Sequence, residues 1–431
     1  MGNPKPRVRT DDSGQVVRYD GWANLMSSEG TSRDPSEYAR NFGSARIPQN
    51  ELENIYRSDG IGKRIVDIPA QEMTREWVAV EMDEGADAVL QKLQELHAQT
   101  QFADAIRWSG LYGGSIMVMG VDDGQRLEQP INEGRVQDVE FLHVYDRWQV
   151  YWTQAQLYSN PNSPKYNRPE HYTIQPILGA PFDVHESRIL IFDGEPIPER
   201  LRWQNNGWGD SRLQSVYNSV RDLNSAYSGV TNIIRDFIQP ILKMSNLGEL
   251  ISTGREDEIK KRLEIMGISR SILNVLLIDG QDEDYEKKSS SVSGLSELVQ
   301  TLMLRVTSEC GIPATKLFGR SPEGENATGE SDARNFYDDI KNEQETRLRP
   351  KLERLIRLIM LSRRGPTNGQ EPEDWAIKFN PLWQPSAKEQ ADTMEVTSRA
   401  LVALEDRQML TLEESRRNLE AGGFDLDEVG Q

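Results

Sequence analysis

Residues 317–364, LFGRSPEGENATGESDARNFYDDIKNEQETRLRPKLERLIRLIMLSRR, restrict the fold more than any other stretch, because backbone chemistry, helix signals and charge all change within them. The first part holds Gly319, Gly324 and Gly329 with Pro322 and Asn326 between them. Glycine and asparagine accept positive φ and proline lacks a donor, so this part opposes regular structure. Ser331 or Thr328 is placed to cap a helix, with Glu330 and Asp332 near its positive end. The spacing predicts a helix over residues 332–349, about 27 Å long at about 1.5 Å per residue. Pro350 cannot donate to residue 346, so a kink or restart is expected there. Leu348, Leu352, Leu355, Ile356 and Ile359 then form one apolar face, whereas the earlier half offers only Ala333, Phe336, Tyr337 and Ile340 and should pack thinly.

Charge divides just as sharply. Glu323, Glu325, Glu330, Asp332, Asp338, Asp339, Glu343 and Glu345 face only Arg334 and Lys341; further on, Arg347, Arg349, Lys351, Arg354, Arg357, Arg363 and Arg364 face only Glu353. A helix complementing its own dipole would show this polarity, and so would a helix pairing with a neighbour.

The chain has 431 residues, enough for about three domains, and a formal net charge of -19. That charge opposes a simple DNA-binding module, which would carry a basic footprint, but leaves open a wall along which DNA slides. Cys310 is the single cysteine, which excludes intrachain disulfides and cysteine-rich zinc sites and suits a reducing compartment. No apolar run of about 18 residues and no signal-peptide pattern at Met1 is present, so the chain reads as soluble and unexported.

Residues 1–45 lack periodicity and read as an irregular arm in which Trp22, Leu25 and Met26 could dock. A helix pair is expected over 51–77, broken at Gly60 and stopped by Pro69, followed by a strand at 78–81. Residues 90–111 read as helices, and 115–121 as a buried strand closed by Asp122-Asp123-Gly124. Gly113-Gly114 reads as a tight helix-to-strand turn rather than a phosphate loop. Strands at 141–152, 171–174 and 188–192 complete a sheet-rich region. From Gly209 the regime changes. Asp210 or Ser211 caps a long helix carrying a seven-residue repeat, with Leu213, Val220, Tyr227 and Ile234 on one seam and Val216, Leu223, Val230 and Phe237 beside it, until Pro240. A short helix at 256–266, a strand at 272–278 and an Asp279-Gly280 turn into the acidic DEDYEKK lead to a second long helix through Leu295, Leu298, Val299, Leu302 and Val306, ended by Gly311 and Pro313. Two long helices flanking a small insert make a hairpin with a domain at its tip. Residues 375–386 look strand-like, and 387–404 and 411–419 helical.

Chemistry is sparse. His97, His143, His171 and His185 are scattered, with no metal-ligand spacing, Walker motif, nucleophile elbow or catalytic-cysteine context, so no catalytic, cofactor or metal site is expected. His171-x-Thr173 is half of the paired HxT signature of 2H phosphoesterases, and no second HxT accompanies it. Asp338-Asp339 are sequence neighbours on different sides of a helix and make a poor catalytic dyad.

The stretches DGWANLMSSEGT, ELENIYRSDGIGKRIVDIPAQEMTREW, RWSGLYGGSIMVMGVDDG, HESRILIFDGEPIP, GWGDSRLQSVYNSVRDLNSA and CGIPATKLFGRSPEGENATGESDARNFYDDIKNEQE resemble the portal proteins of tailed bacteriophages, in the expected order. The resemblance implies an α+β multidomain portal fold and a division into an irregular arm (1–45), a mixed α/β wing (46–208), a first stem helix (209–248), a small α/β clip (249–290), a second stem helix (291–312), a tunnel loop (313–331), a long kinked wing helix (332–371), and a last wing strand with a short helical crown (372–431). It implies a non-enzymatic ring of twelve copies at one capsid vertex, in the virion and assembled in the host cytoplasm, through which double-stranded DNA is packaged and ejected. The implied partners are the large terminase subunit, a head-completion adaptor, the major capsid protein and scaffold, with no membrane.

By the same resemblance, Arg320, Ser321, Glu323, Glu325, Asn326, Thr328 and Glu330 belong to the loop edging the DNA channel, and Asp282, Glu283, Asp284 and Glu286 to the clip contacts. Asp338, Asp339, Glu343, Glu345, Arg347, Arg349 and Arg354 are assigned to the subunit interface, with bases of 347–364 pairing with a neighbour's acids. Carboxylates along such a channel repel phosphate and keep the duplex mobile, where lysines and arginines would hold it. The competing readings are a non-portal scaffold or structural protein and a nucleic-acid hydrolase.

Overall fold

The structure is a computed structural model that describes residues 9–10, 16–17, 46–236, 239–244, 257, 261, 283–288, 294–319, 329–383, 395–397 and 399. The chain divides into two compact units, residues 1–51 and 52–431. In the first, Arg9–Thr10 (β1) pairs antiparallel with Val16–Val17 (β2), so the arm expected to be irregular carries a short strand pair. The rest of the arm to residue 45 lies outside the described residues.

Gln49–Ser58 (α1) and Gly60–Arg75 (α2) form the expected pair, and Asp59 accepts from Ile61 N at 2.9 Å to cap α2. The expectation that Pro69 stops this helix is corrected: Pro69 lies inside α2. An interior proline forfeits one hydrogen bond and crowds the preceding turn, at about 3 kcal/mol. Burial of Ile65, Val66, Ile68 and Met73, each at most 8% exposed, offsets it.

Val78–Met82 (β3), Ala86–Glu95 (α3) and Ala98–Tyr112 (α4) follow. Gly114–Asp122 (β4) is the centre of an antiparallel sheet, between Asp138–Asp146 (β5) and Ile189–Asp193 (β9); Val150–Tyr151 (β6), His171–Ile174 (β7) and Phe182–His185 (β8) form a second sheet in that order. The single strand expected over 141–152 is therefore two strands in different sheets. Asp146 accepts from Trp148 N at 2.8 Å and turns the chain between them. Ile116 and Val118 of β4, Ile189 of β9, Val150, Tyr172, Ile174 and Val184 of the second sheet, and Trp208 make one core cluster.

After Glu199–Gln204 (α5), Leu213–Asp236 (α6) is the long helix that the heptad spacing predicts. It leads to Gln239–Met244 (β10), which pairs antiparallel with Glu283–Lys288 (β11). The second long helix is Leu295–Cys310 (α7), ended by Gly311 at φ 69°. Pro313 opens a further turn, Ala314–Leu317 (α8), instead of only terminating. Glu330–Glu343 (α9), a π-helical turn at Gln344–Leu348 and Arg349–Met360 (α10) make the broken helix expected around Pro350. The break precedes the proline. The wide turn leaves Pro350 in the first turn of α10, where its missing N–H has no partner to lose. The proposed side-chain cap is corrected too, since Gly329 holds the N-cap position at φ 63° with no side-chain bond. On α10, Leu352, Leu355, Ile356 and Ile359 are fully buried, as their spacing predicts. Trp375–Phe379 (β12) pairs antiparallel with β3.

The helix at 256–266, the strand at 272–278 and the helices at 387–404 and 411–419 fall almost entirely outside the described residues. No described helix is long and apolar enough to cross a membrane.

Candidate channel hairpin and subunit interface

The helix α6 starts where three backbone segments touch. A Cβ on Gly113 would lie 2.4 Å from the Gly209 carbonyl oxygen, and one on Gly194 2.4 Å from the Asp210 carbonyl oxygen, so only glycine fits at either position. Arg147, 4% exposed, donates to the carbonyls of Asn205 at 3.1 Å, Tyr112 at 3.3 Å and Gly209 at 3.4 Å. Ser211 Oγ accepts from Leu213 N at 3.1 Å. The α6 seam is buried at Leu213, Val216, Val220 and Leu223, yet Tyr227 is 41% exposed. The first half of the helix is thus seated in the body, while beyond it the seam meets α7, where Tyr227 Oη lies 3.4 Å from Met303 Sδ.

A knot of charge fixes this seat. Arg212 Nη2 lies 2.7 Å from Glu343 Oε2 and its Nε 3.1 Å from Glu195 Oε1. Arg347 donates to the carbonyls of Asp193 at 2.9 Å and Gly194 at 2.6 Å. Lys351 donates to the Arg347 carbonyl at 2.5 Å and stands 5.3 Å over the Phe192 ring, and burial pushes its amine below the ordinary value. The start of α6, the end of β9 and the π-helical turn are therefore one joint. Its geometry suits a rigid base for a projecting helix pair.

The seven interface candidates separate into two groups. Asp338 and Asp339 are exposed on α9. Glu343, Glu345, Arg347, Arg349 and Arg354 are engaged within their own chain: Arg349 with Glu345 at 2.5 Å and the Ile377 carbonyl at 2.6 Å, and Arg354 with Glu133 at 2.6 Å. The Arg349 bond holds the Glu345 carboxyl below its ordinary value, and Arg354 does the same for Glu133. Arg357 also reaches Glu133 at 3.2 Å and Glu371 at 2.8 Å. These bases bind α10 and the π-helical turn to the body of their own chain.

Of the loop candidates, Arg320, Ser321, Glu323, Glu325, Asn326 and Thr328 lie outside the described residues, and Glu330 begins α9. The loop's roots are visible. Gly319 and Gly329 both take left-handed φ, at 69° and 63°. Below them Lys316 meets Glu72 at 2.8 Å and stands 5.2 Å over the Tyr337 ring. Burial alone would lower the Lys316 amine, but the Glu72 and Tyr337 bonds hold it above the ordinary value. Asp282 lies outside the described residues, whereas Glu283, Asp284 and Glu286 sit on β11 opposite Met244, Lys243 and Ile241. The acidic stretch after Asp279-Gly280, for which no element is expected, is a strand over Glu283–Lys288.

The hydrolase question turns on His171 and His185, which face each other across β7 and β8 with ring centroids 5.3 Å apart. The antiparallel register sets only the two histidines opposite each other, with Thr173 against Asp183, so His185-Glu186-Ser187 does not lie along His171-Tyr172-Thr173. Both rings are occupied. His171 Nε2 is 3.1 Å from the Glu128 carbonyl, and His185 Nδ1 accepts from Ser187 N at 3.1 Å. Burial, with His171 beside it, pushes the His185 imidazole below its ordinary value, so it is a neutral cap for the turn at 186–188.

That turn delivers Arg188, which sequence reasoning missed. Its Nη2 contacts both Asp123 oxygens at 2.9 Å, with both side chains 0% exposed. A charged residue heading the apolar run ILIF was the available signal, as Arg147 was within FLHVYDRWQVYW.

The fold as described, antiparallel sheets with a pair of long helices and a later helix broken by a π-helical turn, resembles that of a chain in the neck of a native GTA particle computed with C12 symmetry, with a TM-score of 0.53, 15% identity and coverage of 89% of this chain and 96% of the other. It is a portal fold of the α+β class. The profile of the family described as phage portal protein matches residues 50–402, and the chain belongs to that family. It is 32% identical over 405 residues to a protein of Caulobacter sp. (strain RHG1) named Anti-CBASS protein Acb1, covering 90% of this chain and 63% of that protein's length. An uncharacterized protein of Haemophilus influenzae is 27% identical, with 88% and 85% covered.

Proposed function

We propose that this protein is the portal subunit of a tailed-phage-like particle, closing with further copies of itself into a ring at one capsid vertex through which double-stranded DNA is packaged and ejected. The observation that carries the reading is the order of parts: two long helices joined through a β-ribbon, then a glycine-rooted acidic loop, then a broken helix tied back to the wing. In this reading α6 and α7 are the stem, β10 and β11 the root of the clip, residues 320–328 the channel loop, and α9 to α10 the wing helix. Twelve copies match the symmetry of the GTA neck with which the fold is shared.

The terminase and the head-completion adaptor dock at the clip, where Asp282, Glu283, Asp284 and Glu286 lie, while the capsid protein and scaffold surround the wing. Asp338 and Asp339 are the interface acids best placed to meet a neighbour, since they are exposed. Arg347, Arg349 and Arg354 share their charge between their own chain and the next subunit. The protein acts as a conduit and not as an enzyme. The anti-CBASS name belongs to a relative of which this chain spans 63%. Deleting residues 321–329 tests the role of the loop. Rings should persist while DNA-filled heads become scarce, and a normal yield of genome-filled heads from the deletion would overturn it.

A further inference from the structure

We propose that the cleft between β9, α4 and the π-helical turn binds a single small oxyanion, of the phosphate or sulfate class, on the amine of Lys351 and the guanidinium of Arg347. The site is built from one chain and does not depend on the ring. The cleft holds about 390 Å³ of space, part of it open to solvent, and is lined by apolar Ile106, Phe192 and Leu348 and by the bases Arg212, Arg347 and Lys351.

The charges of this lining do not balance. Arg212 takes both Glu195, at 3.1 Å, and Glu343, at 2.7 Å, while the third acid of the lining, Asp193, lies 2.9 Å from Arg202 outside it. Three bases are left with two carboxylates. Arg347 reaches Glu343 only at 3.8 Å. Lys351 is the surplus cation: among the described residues it makes no ion pair, and its one hydrogen bond goes to the uncharged Arg347 carbonyl. An ammonium has three donors, so two remain for an anion. A desolvated ammonium without a counter-ion is costly, and burial with Arg347 beside it keeps this amine below its ordinary value against the opposing pull of Asp193.

The occupant follows from where each sign sits. The side chains of Asp193, Glu195 and Glu343 are 42%, 39% and 31% exposed, whereas that of Arg212 is 15% exposed and the Lys351 amine is desolvated. Acids therefore stand towards solvent with bases behind them. A polyanion such as DNA would press its neighbouring phosphates against those acids, whereas a lone oxyanion accepts charge-assisted hydrogen bonds from the amine and the guanidinium within. Bound there, the ion joins the end of β9 to the π-helical turn, beside the seat of α6, and supplies the missing counter-charge.

The test titrates inorganic phosphate into the full chain by isothermal titration calorimetry at constant ionic strength. It is repeated with Lys351→Met and, as the control for net charge, with Lys378→Met, which removes an exposed lysine. Wild type and Lys378→Met should bind one phosphate per chain, and Lys351→Met should bind it about tenfold more weakly or not at all. Should Lys351→Met fail to fold, acetylation of the wild-type chain with acetic anhydride, read by mass spectrometry, takes its place: phosphate should protect Lys351 and leave Lys378 labelled. Equal phosphate affinity in Lys351→Met and wild type, no binding by wild type, or labelling of Lys351 that phosphate does not reduce overturns the site. A short DNA duplex that protects Lys351 as well as phosphate does overturns the assignment to a free ion.

Discussion

Replacing Asp123 with alanine is expected to destabilise the protein by about 3–5 kcal/mol, the usual cost of leaving one partner of a buried ion pair unpaired. The carboxylate does more than neutralise Arg188. Oδ1 accepts from Gln125 N at 3.0 Å and Oδ2 from Asn132 N at 2.7 Å, which folds residues 123–132 back onto the sheet. Arg188 in turn donates to the carbonyls of Gln129 at 2.7 Å and Val121 at 3.2 Å, so the pair cross-links the loop, β4 and the head of β9. Burial alone would raise the Asp123 carboxyl; the bonds from Asn132, Arg188 and Gln125 outweigh it and hold the group below its ordinary value. A depressed carboxyl stabilises the fold above its unfolded pKa, and that contribution is lost as pH falls through the folded one. The loss in Asp123→Ala should therefore be full at pH 7 and shrink in acid. Urea unfolding monitored by tryptophan fluorescence measures both, and a variant within about 0.5 kcal/mol of wild type at pH 7 would contradict the assignment.

Arg212→Ala is expected to cost about 1–3 kcal/mol, less than Asp123→Ala because Glu195 and Glu343 remain partly solvated. Its signature is local. Arg212 joins the start of α6 to Glu195, just after β9, and to Glu343 at the end of α9, so its loss should loosen α6 at its seat while the core sheets keep their protection. Hydrogen exchange should rise over residues 211–223 and 340–348 and stay unchanged over 114–122. Uniform acceleration across the chain, or none, would show that the charge cluster is not the joint. Glu343→Gln provides the complementary variant, since it keeps the shape of the Arg212 contact and removes its charge.

Periodic burial was the legible part of this fold. The apolar face of α10, the first half of the α6 seam and the all-buried run in β4 follow directly from side-chain spacing, because each element packs as a unit against one surface. Of the two proline expectations, the stop at Pro69 failed and the restart at Pro350 held. Pro69 is carried inside a helix by the packing around it, and Pro350 is accommodated by a π-helical turn that has no local sequence signature. The ribbon of β10 and β11 escaped notice because β11 is polar and its partner strand lies about 40 residues away in sequence, so no local window pairs the two.

The divided charge was legible in the sequence, but the partners that its bases find within their own chain were not. Arg354 finds Glu133 more than 200 residues away, and Arg347 finds backbone carbonyls at the end of β9, partners that no helix-local rule reaches. The same non-local pairing hid Asp123 with Arg188, where the turn signal of Asp122-Asp123-Gly124 was a sufficient local explanation for a residue that the fold uses as an internal acceptor. The loop candidates at 320–328 rest on composition, acidic and glycine-rich, and lie outside the described residues.

The central claim is that copies of this chain close around a channel. Negative-stain electron microscopy of the purified full-length chain tests it most directly. End-on views should show rings of uniform diameter with a stain-filled central hole, and classes with twelvefold symmetry. Single particles of monomer size, or filled oligomers without a hole, would contradict it.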